Sequence, residues 1–357
     1  MSPLRSVIAG TGSYIPPVRV PNADFAGRDF RTADGSRIDK TNQEILDQFE
    51  AITGIRERRY VPDGVVTSEA AFEAARDALQ SSKIDPESLD VIIVAHNFGD
   101  VRNGGRSDLV PALAARVKAR LQIRNPHAVA FDLVFGCPGW LQGMIVCDSM
   151  IRAGDARRAM IIGAETLSRV SDPHDRDSLI YADGAGATII EAKEAGQDTG
   201  ILAHVARSDT LDHSGMLFMG PSYNEEVFLG ALFLKMEGRK LYKYALQTVA
   251  GSMKQCLDKA GVAVSDVRKI LIHQANGKMD EAIVAAFYDL YGQPEPAGVL
   301  PMTIDWLGNS SVATVPTLLD LIAKNKLNGH TIESGDRLLF ASVGAGMHIN
   351  AMLYAVP

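Results

Sequence analysis

The sequence predicts an α/β protein built twice from one unit. Two observations carry this. Apolar runs of strand length alternate with amphipathic segments of helix length along the chain, the pattern of buried sheets covered by helices. The second half also repeats the first at a single gapless offset of 178 residues. At that offset 79–84 meets 257–262, 92–94 meets 270–272, and 160–163 meets 338–341. The repeat divides the 357 residues into an N-terminal half, 1–195, and a C-terminal half, 196–357.

A short strand over 6–10 ends at Gly10-Thr11-Gly12. Residues 14–40, with prolines, glycines and mixed charge, read as irregular. Ile45, Leu46, Phe49 and Ile52 share one face and predict a helix over 43–52. Thr67-Ser68-Glu69 opens a helix to 82 with Ala71, Phe72, Ala75, Ala78 and Leu79 inward. A strand over 91–95 leads into a glycine-rich loop, then a helix over 109–121 with Pro111 in its first turn. Residues 128–135 read as a buried strand, broken by Gly136; Leu141, Met144 and Ile145 predict the helix that follows. Strands over 159–163 and 184–191 close the first half. In the second half a strand ends at His273, and a helix runs on through Ile283 and Phe287. The turn Gly308-Asn309 enters a helix carrying Val312, Val315, Leu318 and Leu319. The strand over 338–341 runs into the glycine-rich turn 343–347.

A net charge of -7 argues against a general nucleic-acid surface. The three cysteines, Cys137, Cys147 and Cys256, have no framework or metal-ligand spacing and are expected as reduced thiols. No apolar run is long enough for a signal peptide or a membrane span, so the expected compartment is the cytoplasm.

Three reactive side chains sit at strand-to-turn-to-helix junctions: Cys137, His273 and Asn309. Strand ends are where open α/β sheets keep their chemistry. Each has a plain structural alternative: a buried cysteine, a core histidine, a helix cap. A thiol at a helix start should have a lowered pKa and act as a nucleophile. The N–H groups of Cys137 and of the last glycine-rich turn, near Gly346, are candidates for an oxyanion hole.

The chain resembles the β-ketoacyl-acyl-carrier-protein synthase III family of the thiolase superfamily. The residues that carry the likeness are T-G-I-R-E-R from Thr53, the Cys137 turn, D-P-H-D-R from Asp172, D-G-A-G-A from Asp183, H-Q-A-N from His273 and G-N-S-S-V-A-T-V-P from Gly308. The resemblance implies a five-layered α-β-α-β-α fold and a homodimer without bound cofactor. It also implies acyl-coenzyme A or acyl-carrier-protein thioesters as substrates, and acyl carrier protein as the partner. Cys137 would hold the acyl group, and His273 and Asn309 would serve decarboxylation of a malonyl- or β-ketoacyl-type thioester. Lys278 matches a position that docks the carrier protein, and Arg176 one that meets a nucleotide.

The chain departs from the housekeeping pattern at three places. Gln48 and Ile52 stand where a tryptophan and an arginine clamp adenine, which favours carrier-bound donors. Val110 stands where a phenylalanine shapes the partner subunit's acyl pocket, leaving room for a longer acyl chain. The expanded segment 22–40 and the end of the chain look more like ketosynthases that form dialkylresorcinols. The other readings are an acyltransferase to an alcohol or amine, a Cys-His-Asn hydrolase, and a non-catalytic partner subunit.

Overall fold

The computed structural model describes residues 4–102, 106–194, 198–226 and 230–357. The expected boundary between 195 and 196 lies outside the described residues.

Two sheets hold the duplication. The first has five strands in the order Leu4–Tyr14, Asp183–Glu194, Arg158–Thr166, Val91–His96, Val129–Val134. The second has four, in the order Gly200–Ser208, His348–Ala355, Arg337–Gly344, Val267–Ile272. Their pairings match strand for strand: antiparallel, antiparallel, then parallel. Ile92 faces Met160 in the first sheet, and Ile270 faces Leu339 in the second, within one residue of the sequence offset.

Alternation along the strands assigns the layers. Ile93 and Ile161 point to one face of the first sheet, Ile92, Val94, Met160 and Ile162 to the other. The outer face is covered by the helices Thr67–Ser82 and Leu113–Arg120. The outer face of the second sheet is covered by Gly238–Ala260 and Gly277–Asp289. Between the sheets lie Gly139–Ala153 and Thr314–Ala323, whose Trp140, Met144, Leu318 and Ile322 form one core with Ile161 and Phe340. The architecture is therefore the five-layered α-β-α-β-α fold.

Some elements differ from expectation. Within 14–40, Val18–Pro21 pairs with Glu57–Tyr60 as a short antiparallel ribbon; the flanking prolines hide its alternation. The helix expected over 109–121 begins at Leu113, beyond Pro111. The strand expected to be buried, Val129–Val134, is the sheet's edge, with Val129 55% and Val134 65% exposed. The first predicted helix is Asn42–Thr53, fixed by a capping box between Thr41 and Glu44.

Candidate active site

Gly136 turns the chain at φ 70° between the Val129–Val134 strand and the Gly139–Ala153 helix, and Cys137 follows it. A Cβ at Gly136 would meet the Ala345 nitrogen at 2.9 Å, and one at Gly344 would meet the Cys137 nitrogen at 2.5 Å. The two glycines let the cysteine turn and the last glycine-rich turn lie backbone against backbone. Of that last turn, Ala345 lines the same cavity as Cys137. Gly344 and His348 close the strand pair, so Gly346 sits two residues further on at the tip of the turn, against the His348 ring.

The thiol also differs from expectation. Pro138 caps the helix and Cys137 precedes it, yet burial pushes the thiol up to about 11. A hydrogen bond from the Ser311 hydroxyl, 3.4 Å from Sγ, works in the opposite direction. Protein encloses the sulfur, although the residue keeps part of its surface open to a cavity.

His273 follows the Val267–Ile272 strand and is held there by its own N–H on the Ala341 carbonyl, 2.9 Å. Burial pushes its imidazole down to about 4, partly opposed by the Ser311 backbone, so the ring is neutral near pH 7. Its Nδ1 is buried without a hydrogen-bond partner. The Asn309 backbone is locked on both sides: its N–H donates to Ile180 O at 3.0 Å, and its carbonyl accepts from Ala182 N at 2.8 Å. The side-chain Oδ1 accepts the Ser311 N–H at 2.8 Å, which turns the donor Nδ2 the other way.

Cys137, His273 and Asn309 line one cavity of about 700 Å³. Its apolar wall includes Phe49, Phe98, Leu167, Ile180 and Met236. Lys40, Arg176 and Arg239 also line it, as do Gln48 and Ile52. Gln48 Oε1 accepts from Lys40 Nζ at 2.7 Å, so one of the two positions read as a weakened adenine clamp carries a polar pair. Lys278 is exposed on the first turn of its helix, beside the cavity residues Asn276 and Met279. Val110 is 85% exposed and does not line the cavity of its own chain.

Four residues near the thiol were not found by sequence reasoning. Tyr181 is buried in the cavity wall with its hydroxyl unpartnered. Ser311 touches the sulfur, Asn97 touches Ser311, and Glu165 holds Asn97. Glu165 left one signal: a carboxylate inside an otherwise apolar strand. Among the described residues no group of three or more His, Cys, Asp or Glu side chains could hold a metal ion. No described helix is long and apolar enough to cross a membrane.

Comparison with known proteins agrees with this geometry. The family described as 3-Oxoacyl-[acyl-carrier-protein (ACP)] synthase III matches residues 131–210, and its C-terminal counterpart matches 257–356. A beta-ketoacyl-[acyl-carrier-protein] synthase III of Bradyrhizobium sp. is 33% identical over 349 residues, 96% of each chain. The crystal structure of 3-oxoacyl-[acyl-carrier-protein] synthase III from Aquifex aeolicus VF5 superposes with a TM-score of 0.79 at 28% identity, covering 98% of this chain and 99% of that one. The priming β-ketosynthase of the R1128 polyketide biosynthetic pathway gives 0.81 at 26% identity, covering 100% and 97%. With both halves matched in order and nearly the whole length aligned, the chain belongs to the 3-oxoacyl-[acyl-carrier-protein] synthase III family of the thiolase superfamily.

Proposed function

We propose that this chain is a ketosynthase that primes a fatty-acid or polyketide chain by decarboxylative Claisen condensation. The observation that carries the reading is the convergence of Cys137, His273 and Asn309 on one cavity from both halves of the duplication. The Cys137 thiolate attacks an acyl thioester and expels the carrier thiolate, which takes up the proton the cysteine gave up. A malonyl-type thioester then loses CO2. His273 and Asn309 Nδ2 donate to its thioester oxygen as the enolate forms, and a neutral His273 suits a donor role. The enolate attacks the acyl carbonyl, and Cys137 leaves as thiolate. The N–H groups of Cys137 and of the last glycine-rich turn, whose Ala345 lines the cavity, hold the oxyanion. One such donor contributes about 3–4 kcal/mol to the transition state. The reaction uses thioester substrates and needs no cofactor.

In this reading the enzyme is an acyltransferase that works as a homodimer with acyl carrier protein. The exposed edge strand Val129–Val134 supports pairing with a second copy, and Val110, turned away from its own cavity, would meet the partner's. Arg176 and Arg239 supply positive charge for the phosphate of a carrier arm. Lys278 faces the acidic carrier from beside the same cavity.

Intact-protein mass spectrometry tests the reading. Wild type and Cys137→Ala are incubated with acyl thioesters on coenzyme A and on carrier protein, and malonyl-carrier protein is then added. The expected outcome is an acyl adduct on wild type alone, discharged with CO2 and a β-ketoacyl product. Discharge only to an alcohol or amine would replace condensation by plain acyl transfer. Failure of every donor to form an adduct would remove Cys137 as nucleophile.

A further inference from the structure

We infer that the Ser311 hydroxyl is a hydrogen-bond donor that sets the reactivity of the Cys137 thiol, and that Asn97 and Glu165 are positioning residues that fix its direction. The inference rests on Cys137 being the nucleophile.

Counting hydrogens gives the direction of the chain. The Asn97 amide has two hydrogens on Nδ2. One goes to Glu165 Oε2 at 2.5 Å, the other to Ser311 Oγ at 3.2 Å. Ser311 Oγ therefore accepts from Asn97, and its single hydrogen is left for Cys137 Sγ at 3.4 Å. Glu165 also accepts the Asn97 backbone N–H, at 3.1 and 3.3 Å. Both ends of Asn97 are thus clamped by one carboxyl. Turning the amide over would set its oxygen against that carboxyl and leave Ser311 free to rotate.

The Ser311 backbone is held as firmly. Its φ is 54°, the left-handed region that a residue with a Cβ rarely adopts. The Asn309 side chain takes its N–H there. Backbone strain that persists at a reactive centre points to a position fixed for its side chain. What that side chain supplies is a donor aimed at sulfur, which favours thiolate over thiol. Burial drives the thiol the wrong way, and the Glu165 carboxyl pushes it further in that direction. The burial of Glu165 gains an explanation as well. Burial raises its carboxyl to about 7, a cost to the fold that the condensation steps leave unexplained.

The pH profile of Cys137 alkylation by iodoacetamide, read by intact mass on the full chain, tests this without any thioester. A Cys137→Ala control separates this site from Cys147 and Cys256. Ser311→Gly removes the hydroxyl and suits the left-handed backbone, so the fold is kept. The expected result is a midpoint about one pH unit higher, which is ~10-fold slower labelling below it. Asn97→Ala should shift the midpoint the same way, because the hydroxyl loses its direction. Glu165→Gln keeps an acceptor oxygen for Asn97 and removes a negative charge near the thiol, so its midpoint should stay at or below wild type. A Ser311→Gly midpoint equal to wild type overturns the donor role. An unchanged Asn97→Ala midpoint overturns the positioning role. Normal alkylation shifts with no condensation would instead count against the proposed reaction and leave this inference standing.

Discussion

His96 and His273 stand within one residue of equivalent positions at strand ends of the two sheets, and their imidazoles are bonded differently. The His96 imidazole is saturated: Nδ1 accepts the Gly99 N–H at 3.1 Å, so Nε2 carries the hydrogen donated to Asp132 Oδ2 at 3.0 Å. Asp132 in turn accepts the Leu113 and Ala114 N–H groups at 2.6 and 2.8 Å, fixing the start of that helix. His273 has its Nδ1 buried and unpartnered and lines the cavity. Duplication made two similar strand ends; hydrogen bonding made one a strut and left the Nδ1 of the other without a partner. The difference teaches that reactivity here follows from what a buried polar group lacks.

The largest expected effect separates the two histidines directly. His273→Ala should slow condensation by about 10²–10³-fold while the acyl adduct on Cys137 still forms. His96→Ala should leave the rate per folded molecule within a few-fold and lower stability by about 2–4 kcal/mol. Chemical denaturation beside single-turnover kinetics reads both. A rate collapse in His96→Ala with unchanged stability would end the comparison.

A smaller effect lies in acid. The folded pKa of His273 is about 4, below the ordinary histidine value of 6.5. Between those values the unfolded chain binds the extra proton, so stability rises with pH and is lost as pH falls from 6.5 through 4. The full contribution is about 3 kcal/mol. Denaturation at pH 7 and pH 4 should show wild type losing that much more than His273→Gln. Parallel pH curves for the two proteins would show that His273 is not held neutral by burial.

The smallest effect contrasts two lysines. Lys118 in the first half is tied to the carbonyls of Asn125 and Ala128, both at 2.7 Å, whereas Lys278 is exposed beside the cavity. Lys278→Glu should raise KM for malonyl-carrier protein roughly two- to fivefold, lessened by salt, and leave a coenzyme A thioester unaffected. Equal changes for both substrates would move Lys278 out of carrier docking.

The fold was legible because its signals are local or periodic. Apolar strands at one repeated offset, Ile45, Leu46, Phe49 and Ile52 on one face, and Gly136 before Cys137 each declare a geometry without knowledge of the rest. The reactive types were legible for the same reason, each lying beside a glycine or at the end of an apolar run. What stayed hidden depends on contacts between segments far apart in sequence. The Val129–Val134 strand has a buried strand's composition, and only the sheet order shows that no described strand pairs with its outer edge. Gly344 and Gly346 look alike in sequence; the strand pair with His348 decides which one packs against the Cys137 backbone. The raised pKa of Cys137 comes from burial, which a helix-start argument omits. Ser311, Asn97 and Glu165 become a set only when both halves are folded together.

That interlock has a consequence for the newborn chain. Cys137 is synthesised long before Ser311, Asn309 and Gly344, and the central layer that encloses it needs Thr314–Ala323. A ribosome that has finished the first half therefore holds the thiol without Ser311, the last glycine-rich turn or His273 around it. Chemical activation arrives late and all at once, with the closing strands of the second sheet. The same logic makes the halves a natural split pair: neither fragment carries an active centre, and recovered acyl-adduct formation would report their reassociation.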